Sequence, residues 1–207
     1  MTHIQQPTQP VPAPRRRNRQ ATHDRLVRAA LELFTTQGYH GSTTPEIAQR
    51  AGVAEGTIYR HFESKQHLLN DIYRAAARLF AGALTERPAD LPCREHLERT
   101  ALAWREIAAR DPALVRLLFV SRLRTLLDPK SREAYGELRA GVEKVIASGK
   151  ATGQVRPGPV EVWADTWLQL VSLMLERVAN RDWTGEHAAP QQVIDAAWRA
   201  ISLPESS

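Results

Sequence analysis

The sequence predicts an all-α protein of about nine helices, with an N-terminal three-helix unit of the helix-turn-helix type followed by a larger C-terminal helical domain. Three observations carry this. The stretch TTPEIAQRAGVAEGTIYRHFESK, residues 43–65, reads as two short helices about a glycine turn, with a third beginning at its end. Long segments on both sides repeat apolar residues at three- and four-residue spacing. Beyond the break at Arg87-Pro88-Ala89-Asp90-Leu91-Pro92, no strand-like alternation occurs.

At 207 residues and 43% apolar, the chain is long enough for a small domain plus a medium one. The expected division is a disordered basic arm over 1–21, a helix-turn-helix domain over 22–67, and an effector-binding and dimerisation domain over 68–207. A net charge of +5 and a pI near 9.8 point to an anionic partner. The excess is local. Arg15, Arg16, Arg17 and Arg19 stand in the arm without an acid, whereas Arg25, Arg28, Arg50, Arg60 and Lys65 are balanced by Asp24, Glu32, Glu46, Glu55 and Glu63.

Cys93 is the single cysteine, so no intramolecular disulfide can form. The N-terminus places its arginines after a polar run, the reverse of a signal peptide. Residues 166–175 form the longest uncharged stretch of the C-terminal half, well short of the roughly 20 a membrane helix needs. The expectation is a cytoplasmic protein with no membrane partner. Seven histidines include no HExxH pair, and there is neither a glycine-rich phosphate loop nor a nucleophile elbow, so neither an enzyme, a cofactor nor a metal is expected.

Taken in order, residues 1–14 hold four prolines and few apolar side chains, too little to offset the entropy of ordering. The RRRNR run then admits two readings, a contact with a minor groove or phosphate, or a solvated tail adding unspecific attraction. A helix over 22–37 presents Leu26, Ala30, Leu33 and Phe34 on one stripe, and Gly38 and Gly41 bracket the loop that ends it. Thr43 is the N-cap of the next helix, with Glu46 at capping-box spacing and Pro45 in the first turn. That helix stops at Gly52, which can take a positive φ, while Val53 plugs the gap between helices.

A second helix over 55–62 buries Ile58 and Phe62 and displays Glu55, Gly56, Thr57, Tyr59, Arg60 and His61, as a helix entering a major groove would. Ser64 caps a long helix over 65–84 with an apolar stripe of Leu68, Leu69, Ile72, Tyr73, Ala76, Leu79, Phe80 and Ala83. Further helices are expected over 94–110, 112–127, 131–148, 160–180 and 190–201. Residues 149–159, with three glycines and two prolines, form the interior loop.

The stretch TTPEIAQRAGVAEGTIYRHFESKQHLL resembles the DNA-binding signature of the TetR family of bacterial transcriptional regulators, in which TT, IA, AGV, GT(I/L)Y, HF and K..L recur in this order. Upstream, ALELFTTQGYHGST is similar to that family's first helix and loop, so the resemblance covers about residues 22–69. It implies that Thr44, Tyr59, His61 and Lys65 contact the DNA backbone. Pro45, Glu55, Gly56 and Arg60 then fall where the family reads bases, and Arg60 can hold guanine O6 and N7 together. Thr57 lies on the same exposed surface. The alternative is purely structural: a capping threonine, a half-buried tyrosine and a surface lysine. Two positions depart from the pattern. Ala54 replaces a common serine, removing a cap worth about 1 kcal/mol. Glu55 brings a negative charge toward phosphates unless it accepts from cytosine N4 or meets an arginine.

In the C-terminal half, residues 160–180 sort into three faces. Trp163, Trp167, Leu170 and Met174 form one apolar seam, Ala164, Leu168, Val171, Leu175 and Val178 a second, and Asp165, Gln169, Ser172 and Glu176 a polar third. Two seams call for two partners, the chain's own core and a second subunit. With Val193, Ile194, Ala197, Trp198 and Ile201 of the last helix, the second seam is expected to form a four-helix homodimer interface, as the family resemblance implies. Trp104, Phe119, Leu123, Tyr135, Trp163, Trp167 and Met174 are candidates for lining a pocket for a small apolar or aromatic effector, although plain core packing is the first reading of such residues at helical spacing. Arg116, Arg122 and Arg124 are candidates for an anionic ligand or for snorkelling at the surface. Cys93, beside Arg94 at a helix start, is either a low-pKa thiol or inert.

The expectation is a regulator, in the sense of a repressor, that binds a palindromic double-stranded DNA operator as a homodimer and is released by an effector. The alternative is an architectural DNA-binding dimer with no effector.

Overall fold

The computed structural model describes residues 14–85, 91–120 and 123–204, and these form nine α-helices with short π and 3-10 turns. Helices α1 (Pro14–Thr36), α2 (Thr44–Arg50) and α3 (Glu55–Ile58) precede the long α4 (Lys65–Thr85). Then follow α5 (Cys93–Arg110), α6 (Pro112–Val115), α7 (Pro129–Ala151), α8 (Val160–Ala179) and α9 (Ala189–Ile201). No strand occurs among the described residues; an isolated antiparallel bridge joins Val155 to Ser202. No helix among them is long and apolar enough to cross a membrane. Buried residues of both halves form one continuous cluster running from Leu26 to Ile201.

α1 begins at Pro14, eight residues before the expected start, so residues 14–21 of the expected disordered arm are helical. Arginine is a good helix former and proline suits a first turn, so a helix already anchored through Leu26, Ala30, Leu33 and Phe34 extends backward through this run. Residues 1–13 of the arm lie outside the described residues.

α2 starts as its sequence dictates. The Thr43 N–H donates to Glu46 Oε2 at 2.8 Å, and the Glu46 N–H returns to Thr43 Oγ1 at 3.4 Å. Gly52 takes φ +65 to turn the chain into α3. α3 is only four residues long rather than eight. After Ile58 the bonds tighten, with the N–H groups of Arg60 and His61 reaching three residues back, and only the Phe62 N–H reaching four back to Ile58 O. Ile58 and Phe62 are both buried, so the expected inward face survives the shortening. α4 is capped by Ser64, whose Oγ accepts from the His67 N–H at 3.0 Å.

The expected single helix over 112–127 is replaced by α6, a π-helical turn Arg116–Val120 and a 3-10 turn Arg124–Leu126. Leu114, Val115, Leu117, Leu118, Phe119 and Val120 are apolar in every direction, and such a run has no polar face to hold one helical register. The wider turn buries both Leu117 and Leu118, neighbours that an α-helix would point 100° apart. The Arg116 guanidinium bonds Ala179 O at 3.2 Å and Asn180 Oδ1 at 3.3 Å, closing the C-terminal end of α8. This places Arg116 in a structural role. Arg122 lies outside the described residues.

α8 runs through the middle of the C-terminal half, packed on α5, α6, α7 and α9. The second seam does not face a partner. Ala164, Leu168, Val171, Leu175 and Val178 are all buried within the single chain, as are Ile194, Ala197 and Ile201 of α9. Two seams on one helix are satisfied by α5 and α7 on one side and α9 on the other, so the chain itself covers both. Val193 and Trp198 remain partly exposed. The outward stripe of α8 instead carries Val162 and Leu173, 47% and 42% exposed, with Thr166 and Gln169 between them.

Two glycines permit close helix packing. A Cβ at Gly141 would stand 2.6 Å from Leu84 Cδ2, so the bare position lets the end of α4 seat closely against α7. At Gly149, the last turn of α7 meets Cys93 in the same way, with Sγ 2.5 Å from the would-be Cβ. Cys93 is buried, and burial pushes its thiol up to about 11 against the lowering effect of a Gly149 backbone bond. It is a packed thiol, not a low-pKa one.

Candidate nucleic-acid interface and interior cavity

The N-terminal unit gathers its polar side chains on the side where α2, α3 and the start of α4 converge. Thr44 Oγ1 and Tyr59 Oη lie 3.0 Å apart, joining the first turn of α2 to the end of α3. Tyr59 is 57% exposed, a large share for an aromatic ring. An open depression of about 460 Å3 beside them is lined by His40, Ser42, Thr43, Thr44, Tyr59, Glu63, Ser64 and Lys65. The N-terminal ends of α2 and α4 both border it, and each brings the partial positive charge of a helix start.

Lys65 is more constrained than its sequence suggests. Its ammonium donates to Tyr39 O at 2.8 Å and Ser42 O at 2.7 Å, and sits 4.2 Å from the centroid of the Tyr39 ring. Two of its three N–H groups therefore fasten the α1–α2 loop to α4. Sequence reasoning missed Tyr39, His40 and Ser42, because backbone carbonyl acceptors leave no mark on residue type. Burial holds the Tyr39 phenol above its ordinary value.

Pro45, Glu55, Gly56 and Arg60 are all exposed, and Thr57 is partly so. Ala54 gives α3 no side-chain cap, as its sequence implies. His61 turns the other way, toward α1: its ring is 6.1 Å from that of His23, which packs on Phe62 at 5.1 Å. Partial burial, then His23 and Arg19, hold the His61 imidazole below its ordinary value. The structure thus brings Thr44, Tyr59 and Lys65 together and leaves His61 beside α1.

α4 ties this unit to the C-terminal half. The Gln66 and Asn70 amides donate to Leu126 O at 2.9 and 3.2 Å, and Asn70 Oδ1 accepts the Asp128 N–H at 2.8 Å. One turn on, Arg74 pairs with Asp128 at 2.9 Å and reaches Ser131 Oγ at 3.2 Å. Asn70 is 2% exposed, so these bonds form away from water, where an unmade one is costly. Burial acts to raise the Asp128 carboxyl, but the Ser131 N–H and hydroxyl and the Arg74 guanidinium outweigh it and hold it below its ordinary value. Arg28 of α1 also pairs with Asp111 at the α5–α6 corner.

Next to that clasp lies a cavity of about 230 Å3, lined by Tyr73, Leu118, Phe119, Leu123, Leu127, Arg132, Tyr135 and Gln169. Phe119, Leu123 and Tyr135 of the expected pocket residues are here. Trp104, Trp167 and Met174 are not; they are fully buried core, with Trp104 within 6 Å of Phe80, Phe119 and Trp167 and its indole N–H on Phe80 O at 2.9 Å. Trp163 packs on Gly158 and under the Arg156 guanidinium, far along α8. Tyr73, Leu118 and Leu127 were missed because their spacing marks them only as apolar. Among the described residues, no group of three or more His, Cys, Asp or Glu could hold a metal ion.

Comparison with known proteins agrees with this geometry. The family profile described as bacterial regulatory proteins, tetR family, matches residues 26–72, which span α1 to the first turns of α4. The transcriptional regulator TcmR of Streptomyces glaucescens is 32% identical over 80% of this chain and 84% of its own length. The transcriptional repressor KstR of Rhodococcus jostii is 38% identical over 76% of this chain and 77% of its own. A TetR family regulator of Marinobacter aquaeolei shares the fold with a TM-score of 0.77 at 19% identity, covering 90% of this chain and 98% of that one. With a relative this similar along most of its length and a matching helix-turn-helix, the chain belongs to the TetR family and is a DNA-binding transcriptional regulator.

Proposed function

We propose that the protein is a repressor that binds a palindromic operator as a homodimer and leaves it when a small molecule binds the C-terminal half. The observation that carries the reading is the convergence of Thr44, Tyr59 and Lys65 on one open depression beside the exposed face of α3. In this reading Thr44 donates to Tyr59, the Tyr59 hydroxyl donates to a phosphate, and the third Lys65 N–H donates to the same strand. Pro45, Glu55, Gly56, Thr57 and Arg60 face the bases, with Arg60 on a guanine. His61 supports Phe62 more than it grips phosphate. Residues up to about 67 serve DNA and those beyond serve ligand and assembly. A two-fold pair sets the two α3 segments about 34 to 36 Å apart, one helical turn of DNA.

The dimer surface in this reading takes Val162, Thr166 and Leu173 from the outward side of α8, together with the accessible Val193 and Trp198 of α9, and leaves Gln169 to the rim of the cavity. Release follows if ligand binds the DNA-incompetent state more tightly and shifts the population by that difference. The cavity beside the Asn70 clasp favours this over an architectural role. Selection of bound fragments from a random DNA pool tests the operator; recovery of sequences without two-fold symmetry would count against a dimer on a palindrome.

A further inference from the structure

We infer that the cavity beside the Asn70 clasp takes a small aromatic carboxylate, a compound of one or two fused rings bearing one acid group. The inference rests on the effector reading above and gives its ligand a chemical class.

Size comes first. An apolar cavity of about 150 Å3 holds a benzene ring. The space here is about 230 Å3, which suits a body of one or two rings and is small for anything longer. Shape comes next. Tyr73 on α4, Phe119 on the π turn and Tyr135 on α7 supply three rings from three separate elements, with Leu118, Leu123 and Leu127 between them; the polar ends of the tyrosines, Arg132 and Gln169 face the same space. Aromatic rings gain from offset or edge-on contact with another ring, which a flexible acyl chain cannot return.

Charge completes the assignment. Among the described residues that line the cavity, Arg132 is the one charged side chain and none is an acid. Its guanidinium donates to Leu127 O and has further N–H groups in the same plane, a geometry that matches a carboxylate. Arg132 and Gln169 are both exposed and stand at the rim, while Tyr73 and Leu118 are buried at the floor. The ligand enters ring first and leaves its acid at the mouth. The lining also includes the π turn, a rare local geometry that is frequent at functional sites.

Calorimetric titration of the full-length protein with 2-naphthoate tests this, with 2-naphthamide as its neutral counterpart and octanoate as a flexible acid of similar size. The acid is expected to bind at least about tenfold tighter than the amide, the factor one charge-assisted hydrogen bond supplies, and tighter than octanoate. R132Q should abolish the preference for acid over amide, and R132K should retain part of it; circular dichroism checks that both fold. No binding of 2-naphthoate by protein that still binds its operator would overturn the ligand class while leaving the DNA-binding reading intact. Equal affinity for acid and amide, or for octanoate, would overturn it too. Binding of 2-naphthoate with unchanged operator affinity supports the ligand class and overturns release by that ligand.

Discussion

The hydroxyl groups of Thr44 and Tyr59 stand 3.0 Å apart although fifteen residues separate them, so one donates to the other and the first turn of α2 and the end of α3 together present one free polar hydrogen at that point. Neither carries a charge. Tyr59→Phe is expected to weaken operator binding about tenfold, as loss of a hydrogen bond to a charged group does. The slope of affinity against salt should not change, because no counterion is released at a neutral contact. Fluorescence anisotropy over a salt series measures both; a changed slope would contradict a neutral phosphate contact.

Lys65 and Arg60 should behave differently from Tyr59 and from each other. Lys65→Ala is expected to reduce the salt slope by about 1 and weaken binding to all sequences alike. It should also lower the melting temperature of the free protein, since the Tyr39 and Ser42 carbonyls lose their donor. Arg60→Ala should leave the melting temperature alone and cost about 1–3 kcal/mol at a single base pair. A selection experiment with unchanged base preference would remove Arg60 from the reading face.

Asn70→Ala removes one of two donors to Leu126 O and the acceptor of the Asp128 N–H from a buried site. An unsatisfied buried group costs about 1–3 kcal/mol, and in a chain of this length each kcal/mol lowers Tm by about 2–4 °C. Operator binding at a temperature well below the transition should then respond less to any ligand of the cavity. Calorimetric unfolding with operator titration separates the two effects; full ligand response in the variant would show that coupling bypasses this clasp.

Asp128 sets a pH dependence of known sign. Its folded-state carboxyl is held below the ordinary value, so ionised Asp128 adds stability above the unfolded pKa of about 3.9. That contribution fades as pH falls through the lowered folded value. Asp128→Asn should therefore be less stable than the parent at pH 7, with the difference shrinking below about pH 4. Urea unfolding at both pH values tests it; a constant difference would place the loss in packing instead.

Much of the fold is written in local chemistry. Thr43, Glu46 and Ser64 fix helix starts through side chains within four residues of the groups they satisfy, so sequence alone finds them. The expected boundaries fail where the deciding partner is distant. α3 ends where the bonds tighten after Ile58, although Phe62 keeps its inward face, and the 112–127 run breaks because its apolar residues around 114–120 have no polar face to hold one register. The second seam of α8 is legible as apolar, but periodicity does not say whether α9 of the same chain or a second chain covers it. The basic run joins α1 because composition describes a chain's average and not the pull of an adjoining helix. Three lining residues of the cavity were legible as aromatic or apolar, while Arg132 and Gln169 carry no pattern that separates them from surface.

In the release proposed above, Leu84, seated against the bare Gly141, is the fulcrum at the far end of α4. At about 1.5 Å of rise per residue, Tyr73 in the cavity wall stands about 16 Å from it and Lys65 about 28 Å. A tilt about Leu84 therefore carries Lys65 about 1.7 times as far as Tyr73, the ratio of those two arms. A displacement of about 1 Å at the cavity becomes about 1.7 Å where Lys65 grips the Tyr39 and Ser42 carbonyls, beyond the tolerance of a hydrogen bond. In that proposed release the spacing of three residues along one helix sets a mechanical gain, with Leu84 against Gly141 as its pivot.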